Sequence, residues 1–337
     1  METQNILTRL IEGNHLSVSE SQTLMERIIV GYMTPVQIAS VLTALRMRGE
    51  SMEEIVGFIK ALRANMLEIK TTGVVIDTCG TGEDGKGTFN ISTASALVVA
   101  GAGVKVAKHG NRSASSLCGS ADVLEALGIN INLSPIQAEE LLVKTNFTFL
   151  FAPLYHPAFK FVSPVRKELK VRTVFNFLGP FLNPARVKRQ IIGFPSLNLA
   201  DKLAKVAVNL SYEHLMIVTS VDGLDEISLS SPTHIIEVKG REIKRTILKP
   251  EELGFVKISL DEIKGGDAKT NAQIIKRILD GEKSARKDIV LINAAAALFV
   301  AGKVRNISNG LKLARESISS GKAKKVLQKL ISFNTQK

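Results

Sequence analysis

The sequence predicts an α/β protein, with a small N-terminal helical domain and a larger α/β domain built on a mostly parallel central sheet. Three observations carry that expectation. Helix start signals crowd the first 65 or so residues, short apolar runs of strand type alternate with helical patterns from Gly73 onward, and two loops rich in glycine and hydroxyl residues follow two of those runs.

The helical part is well punctuated. Ser17-Val18-Ser19-Glu20 is a capping box, Thr34-Pro35-Val36-Gln37 is a second with proline at the first helical position, and Ser51-Met52-Glu53-Glu54 is a third. Gly31 and Gly49 close the intervening helices. Ile38, Leu42 and Leu45, then Ile55, Ile59 and Leu62, recur at helical spacing, so each helix has one apolar face and the group packs as a bundle. Strands are expected at 74–77, 104–107, 148–152, 190–194, 215–219 and 233–238, with ligands at their C-terminal ends. Residues 163–182 interrupt this alternation with two helical patterns, 164–170 and 172–178, and no strand between them. Closing helices are expected at 271–279, 285–302 and 308–319. The expected division is a helical domain 1–70, joined by helices in 164–185, and an α/β domain of 71–163 and 186–337.

Residues 77–122 are the most informative stretch. The strand ending at Asp77 empties into Gly80-Thr81-Gly82-Glu83-Asp84-Gly85, where backbone N–H groups become accessible. Asn90-Ile91-Ser92-Thr93 then opens a helix whose free amides and dipole favour an anion. The design recurs: a strand at 104–107, a basic loop Lys108-His109-Gly110-Asn111-Arg112, hydroxyl donors from Ser113 to Ser116, and a helix from Ser120 stopped by Gly128. Two anion cradles in tandem imply a ligand with more than one phosphate. The Walker pattern GxxxxGK[ST] is absent and no GxGxxG dinucleotide site is expected, which argues against a P-loop NTPase or a Rossmann-type enzyme.

The combination resembles the anthranilate phosphoribosyltransferase family, where a GTGGD loop, an NxST helix start and a KHGNRxxSSxxGSAD segment hold phosphoribosyl pyrophosphate. The resemblance runs through nearly the whole chain, including Gln37-Ile38-Ala39, His156-Pro157-Ala158, Pro164-Val165-Arg166, Phe175-Asn176-Phe177-Leu178-Gly179-Pro180, Gly223-Leu224-Asp225-Glu226 and Gly265-Gly266-Asp267-Ala268. It implies a nucleoside phosphorylase/phosphoribosyltransferase-like fold, in which the 163–182 excursion returns to the helical domain and lines the cleft. It also implies transfer of the phosphoribosyl group to the amine of anthranilate, a step of tryptophan biosynthesis, and a homodimer through the helical domain.

Such a transfer loosens the bond from ribose C1 to pyrophosphate, so catalysis is mainly electrostatic and positional and no catalytic side chain is assigned, His109 being the one candidate base. The implied donor site comprises Gly80, Thr81, Gly82, Glu83, Asp84, Thr88, Asn90, Ile91, Ser92 and Thr93 from the first loop, and Lys108, His109, Gly110, Asn111, Arg112, Ser113, Ala114, Ser115, Ser116 and Ser120 from the second. Departing pyrophosphate calls for Mg²⁺, which prefers oxygen ligands. Asp225 and Glu226, after the strand at 215–219, match the family's metal motif, in which they and Ser92 share two ions. The carboxylate of the acceptor needs a cationic partner, for which Arg166 is chemically the best. By resemblance Gly80, Asn111, Arg166, Gly179 and Pro180 form the anthranilate site, with His109, His156 and Phe159 along its approach. Two departures stand out. Glu83 occupies a glycine position of the GTGGD loop, and Ser220-Val221-Asp222 stands where the family often has His-Gly.

Composition narrows the alternatives. The formal charge of +12 suits a polyanionic substrate, a nucleic acid or an acidic partner equally. Few aromatics (14 Phe, 3 Tyr, no Trp) interleave with the basic residues, so the stacking platform of a single-strand binder is missing. A pyrimidine nucleoside phosphorylase-like enzyme is the competing catalytic reading, and a nucleic-acid-binding relative the non-catalytic one. Cys79 and Cys118 make neither a disulfide framework nor a zinc spacing. No apolar run reaches the roughly 20 residues of a membrane span and the N-terminus lacks the order of a signal peptide, so a cytoplasmic protein is expected.

Overall fold

The computed structural model of the chain describes residues 3–82, 84–113 and 117–333. Four helices open it: α1 (Thr3–Ile11), α2 (Val18–Ile29), α3 (Pro35–Arg48) and α4 (Met52–Ala64). Strands and helices then alternate through β1 (Val75–Gly80), α5 (Ile91–Gly101), β2 (Lys105–Gly110), α6 (Ser120–Ala126), α7 (Pro135–Thr145) and β3 (Phe147–Phe151). Short helices α8 (Ala152–Tyr155), α9 (Ser163–Leu169) and α10 (Phe175–Leu178) follow, with 3₁₀ turns at Pro157–Phe161 and Gly179–Leu182. The chain resumes the sheet with β4 (Arg189–Gly193), α11 (Leu197–Asn209), β5 (His214–Ser220), β6 (Thr233–Lys239) and β7 (Glu242–Leu248). Helices α12 (Ala268–Leu279), α13 (Ala285–Val300), α14 (Ile307–Ser319) and α15 (Lys322–Ser332) close it.

Packing divides the chain into two compact units. The first takes the chain up to Glu68 together with Pro153–Pro184; the second takes Ile69–Ala152 and everything from Ala185 on. In the first unit all three capping boxes form, with Ser17, Thr34 and Ser51 each accepting from the backbone of Glu20, Gln37 and Glu54. Helix α4 crosses α2 at Gly57, where a Cβ would lie 2.4 Å from the Val18 carbonyl oxygen. The returning segment begins at Pro153, earlier than the 164 read from the helical pattern. The reason is that the 3₁₀ turn Pro157–Phe161 packs on α2, with Phe161 against Gly31. Arg63 Nε holds its far end by donating to the Phe181 carbonyl at 2.8 Å.

The second unit carries a seven-stranded sheet of order β3-β2-β1-β4-β5-β6-β7. Strands β1 to β5 run parallel, while β6 and β7 are antiparallel. From β1 the chain builds outward to β2 and β3 on one side, then returns to β4 on the other, so the winding reverses between β1 and β4, where ligands settle in open α/β sheets. Strand β7 was not anticipated: it is an edge strand, largely exposed, whose Glu-Ile-Lys-Arg-Thr sequence has no core signal. Helices α5 and α13 are apolar all round and pack on each other inside the unit, which aims the N-terminus of α5 at the β1 loop. Among the described residues no helix is long and apolar enough to cross a membrane.

One polar group is central to the first unit. Glu54 is fully buried; Arg48 Nη2 donates to both its oxygens at 2.6 Å, and the amides of Leu16 and Ser51 donate at 2.9 and 2.8 Å. Burial pushes its pKa up, but the Ser51 and Leu16 amides and the Arg48 guanidinium outweigh that and hold it below its ordinary value. A depressed carboxyl pKa contributes stability that is present above the unfolded-state value and lost as pH falls through the folded one. Arg48→Ala should therefore cost about 3 kcal/mol, the low end for a broken buried pair because two amides remain. Thermal melts at pH 7 should show that loss, and Glu54→Gln should remove the part of the acid destabilisation that Glu54 causes; a wild-type pH dependence in Glu54→Gln would refute the assignment.

Candidate active site

Strands β1 and β4 end side by side, Gly80 paired with Gly193. A Cβ on Gly80 would lie 2.6 Å from Asp225 Oδ2, and one on Gly193 would lie 1.6 Å from the Asp225 carbonyl oxygen. Only glycine fits at either position, because the loop after β5 lies directly across both strand ends. That loop delivers Asp225 and Glu226, buried at 6 % and 8 % exposure.

Each carboxylate has a backbone donor from the first loop. Gly82 N–H donates to Asp225 Oδ2 at 2.8 Å and Thr81 Oγ to the same oxygen at 3.2 Å, while Ser92 N–H, in the first turn of α5, donates to Glu226 Oε1 at 3.0 Å. Burial raises both carboxyl pKa values, Asp84 adding to the rise at Asp225 and Asp225 to that at Glu226. Asp84 Oδ1 accepts from the Lys86 amide at 3.1 Å, and its Oδ2 is buried without a hydrogen-bond partner. Lys108 is only 2 % exposed; its Nζ donates to the Thr78 carbonyl and, at 3.2 Å, to Ser92 Oγ. Crowded carboxylates with a spare buried oxygen fit an oxygen-liganded cation. Among the described residues no three His, Cys, Asp or Glu side chains form a ready metal cage. A cation held here would complete its shell with oxygens from outside the protein, a set that suits Mg²⁺, which keeps several waters.

The sequence-derived donor residues fall into three groups in the structure. Gly80, Thr81, Gly82, Asp84 and Ser92 come together around the acid pair. A second group braces the loops. Asn90 Nδ2 donates to the Cys118 carbonyl at 3.1 Å and its Oδ1 accepts from Asn271 at 3.0 Å, tying the β1 loop to the β2 loop and to α12. Arg112 forks onto Glu125 (Nη2 to Oε1, 3.0 Å) and reaches Asp122 at 3.0 Å, while Ser113 and Gly119 amides donate to the other Asp122 oxygen at 3.1 and 2.9 Å. Ser120 Oγ donates to the carbonyl of Asn111, whose side chain accepts from the Arg112 amide at 2.7 Å. Thr88 bridges to Lys264, Gly110 lies against Ser120, and His109 is half-buried at the end of β2. The third group, Ile91 and Thr93, is buried in the core face of α5. Glu83, Ala114, Ser115 and Ser116 lie outside the described residues. Contrary to expectation, Gly80 to Gly85 do match the letters GxGxxG, but α5 starts only at Ile91, so these glycines do not open a helix as a dinucleotide fingerprint requires.

The residues of the first unit expected at the acceptor form a row with Phe175. His156 is buried and its ring stacks on Phe159 (centroids 5.2 Å, 17° between planes), Phe159 meets Phe175 edge-on at 5.7 Å, and the Arg166 guanidinium lies 5.5 Å over the Phe175 ring. Burial pushes the His156 pKa down to about 4 against the opposing hydrogen bond to the Leu182 backbone. His156 is therefore neutral at pH 7, which leaves Arg166 as the cation of the row. A Cβ on Gly179 would meet nothing within 4 Å, so space is open beside it and Pro180. Phe175, inside the 172–178 helical pattern but not named for the site, joins this row; a phenylalanine within a predicted helix reads as core.

Comparison with known proteins follows this division. The glycosyl transferase family's helical bundle domain matches residues 4–66 and its a/b domain residues 72–324. The anthranilate phosphoribosyltransferase of Thermomicrobium roseum is 48% identical over 331 residues, covering 97% of this chain and 95% of that protein. That of Methanosphaerula palustris is 48% identical over 329 residues, covering 97% of each. This chain belongs to the anthranilate phosphoribosyltransferase family. Among solved structures, the family member from Thermus thermophilus matches with a TM-score of 0.92 at 38% identity over 99% of both chains. The Saccharomyces cerevisiae enzyme in complex with PRPP and Mg matches with 0.91 at 29% identity, over 99% of this chain and 98% of that one. A 4-fluoroanthranilate complex of the same yeast enzyme matches with 0.90 at 28% identity, with the same coverage.

Gly193 had no sequence signal, since its role lies in what crosses it. Gly193→Ala should displace the acid loop, and because a shift of about 1 Å in a positioned group can cost on the order of 10²-fold, kcat/KM should fall by about that factor or more. Steady-state kinetics within twofold of wild type would show that the loop is not held by this contact.

Proposed function

We propose that the chain transfers the 5-phosphoribosyl group from phosphoribosyl pyrophosphate to the amine of anthranilate, giving N-(5-phosphoribosyl)anthranilate and pyrophosphate in tryptophan biosynthesis. The observation that carries the reading is the buried Asp225–Glu226 pair laid over two glycine strand ends beside the N-terminus of α5, in a chain nearly half identical to anthranilate phosphoribosyltransferases along its length. Bound Mg²⁺, two ions held by Asp225, Glu226 and Ser92, would supply positive charge to the pyrophosphate.

The chain's own residues then bind and orient. The α5 N-terminus and the glycine loop receive the phosphates. Lys108, buried beneath them, holds Ser92 from below and partly balances Glu226. In the first unit, Arg166 takes the anthranilate carboxylate, and the His156–Phe159–Phe175 row gives the aromatic ring an apolar, uncharged wall. The aniline lone pair attacks ribose C1 as the bond from C1 to pyrophosphate oxygen breaks; the electron pair leaves with pyrophosphate and the nitrogen sheds one proton, for which no side chain is assigned. Neither a nucleoside phosphorylase-like activity nor nucleic-acid binding is favoured by any relative compared.

Loss of anthranilate fluorescence on adding phosphoribosyl pyrophosphate and Mg²⁺ tests the activity directly; no loss at any enzyme concentration would refute it. Arg166→Ala should raise the anthranilate KM by about 10- to 150-fold, equivalent to the 1.5–3 kcal/mol of a charge-assisted hydrogen bond, with little change in the donor KM. Equal rises in both would mean that Arg166 organises the unit and does not read the carboxylate.

We also propose a homodimer through the helical unit, where Tyr32, Val36 and Met47 are 72%, 77% and 84% exposed. Sedimentation velocity should give twice the chain mass, falling to the monomer when Val36 and Met47 are both changed to Asp. A wild-type monomer at micromolar concentration would exclude it.

A further inference from the structure

The acid pair sits in a loop pinned on both sides by polar groups that have no assigned part in the reaction. Downstream, Asn293 of α13, 4 % exposed, clamps the Ile227 residue: its Oδ1 accepts from Ile227 N–H at 3.0 Å and its Nδ2 donates to the Ile227 carbonyl at 2.9 Å. The second Nδ2 proton goes to the Ile289 carbonyl at 2.9 Å, so both amide protons are used. Upstream, Asp222 accepts from the Leu224 amide at 3.0 Å, from Ser228 Oγ at 2.6 Å and from Ser230 Oγ, closing the loop on itself.

Leu224, Ile227 and Leu229 are fully buried and alone would keep the loop docked. Apolar burial fixes depth, but it is non-directional and leaves the peptide planes free to rotate. The peptide plane between Glu226 and Ile227 contains the N–H that Asn293 holds, and the turn before Asp225 contains the N–H that Asp222 holds. The Asn293 clamp therefore sets ψ of Glu226, while the Asp222 clamp fixes the Gly223–Leu224 peptide plane, one plane before the one that enters Asp225.

We propose that Asn293 and Asp222 are positioning residues that aim the Asp225 and Glu226 carboxylates at the metal-bound pyrophosphate. Neither touches substrate; Asn293 acts through the peptide plane that leaves Glu226, and Asp222 through the turn that leads into Asp225. The inference rests on the metal reading of that pair. It also gives the Ser220-Val221-Asp222 departure a use: the hydroxyls of Ser220 and Ser231 are within 3.0 Å of each other, and Ser231 accepts from the Asp222 amide at 3.1 Å, so this variant of the loop carries its own internal scaffold.

The test uses Mn²⁺ in place of Mg²⁺, titrated into the full-length enzyme with phosphoribosyl pyrophosphate present and anthranilate absent, and followed by water-proton relaxation. Asn293→Ala and Asp222→Asn should each raise the half-saturating Mn²⁺ concentration at least about tenfold while leaving the anthranilate KM within twofold. Ser317→Ala serves as a control for lost buried hydrogen bonding, since its hydroxyl donates to the Val98 carbonyl at 2.7 Å and has no contact with the loop; it should lower the melting temperature and leave Mn²⁺ uptake unchanged. Variants that melt lower yet bind Mn²⁺ as wild type does would overturn the proposal. If Asn293→Ala fails to fold, Asp222→Asn, whose residue is only half-buried, decides alone. Wild-type enzyme that takes up no Mn²⁺ would overturn the metal reading, and this inference with it.

Discussion

Two carboxylates buried side by side at the mouth of a sheet are the constraint on which the rest of the second unit depends. Each buried charge costs several kcal/mol of lost hydration unless it is paired or hydrogen-bonded, and like charges make the cost larger. The structure meets it with one backbone amide per carboxylate, from Gly82 and Ser92, and with the buried Lys108 close enough to lower the Glu226 pKa. Those groups do not cancel the cost of burial and the smaller repulsion, since both carboxyl pKa values remain raised. On the metal reading proposed above, a bound cation would offset what is left over.

That arrangement explains features that would otherwise look unrelated. Gly80 and Gly193 must lack side chains because the acid loop crosses them. Helix α5 must point its N-terminus at this place, and it is held there by α13, the helix that also carries the Asn293 clamp. Asn90, the residue before α5, spends its side chain on Cys118 and Asn271 and not on capping its own helix, so it ties the β1 loop to the β2 loop and to α12. Positional catalysis asks for such rigidity, because no covalent intermediate is available to correct a misplaced reactant.

Sequence reading recovered the parts of this design that are local. All three capping boxes form where their letters stand, and the predicted strands match the observed ones to within a few residues. Helix α7 was overlooked although Ser134, Pro135 and Gln137 spell a fourth box, and α11 has no side-chain cap to betray it. The long-range pieces were illegible. Ser92 and Glu226 are 134 residues apart, Asn293 and Ile227 are 66 apart, and nothing in either segment says that the other will meet it. Family resemblance supplied the acid pair and Arg166, but not Gly193, Phe175 or Asn293, whose roles depend on what lies against them.

Lys108, expected among the donor-binding residues, meets protein atoms in this structure. A lysine in a basic loop suggests a phosphate ligand, yet its ammonium is turned inward, onto the Thr78 carbonyl and Ser92 Oγ. On the proposed function its charge would act on the phosphates at one remove: it holds the Ser92 hydroxyl and moderates Glu226, which would help to hold the metal. An ammonium facing solvent would be screened and mobile, whereas one at 2 % exposure keeps its field in a low-dielectric setting and needs no reordering when substrate arrives. On the proposed function the site would separate two tasks that a single exposed lysine would have to combine, with oxygen ligands for the metal and phosphates at the surface and the compensating cation kept beneath them.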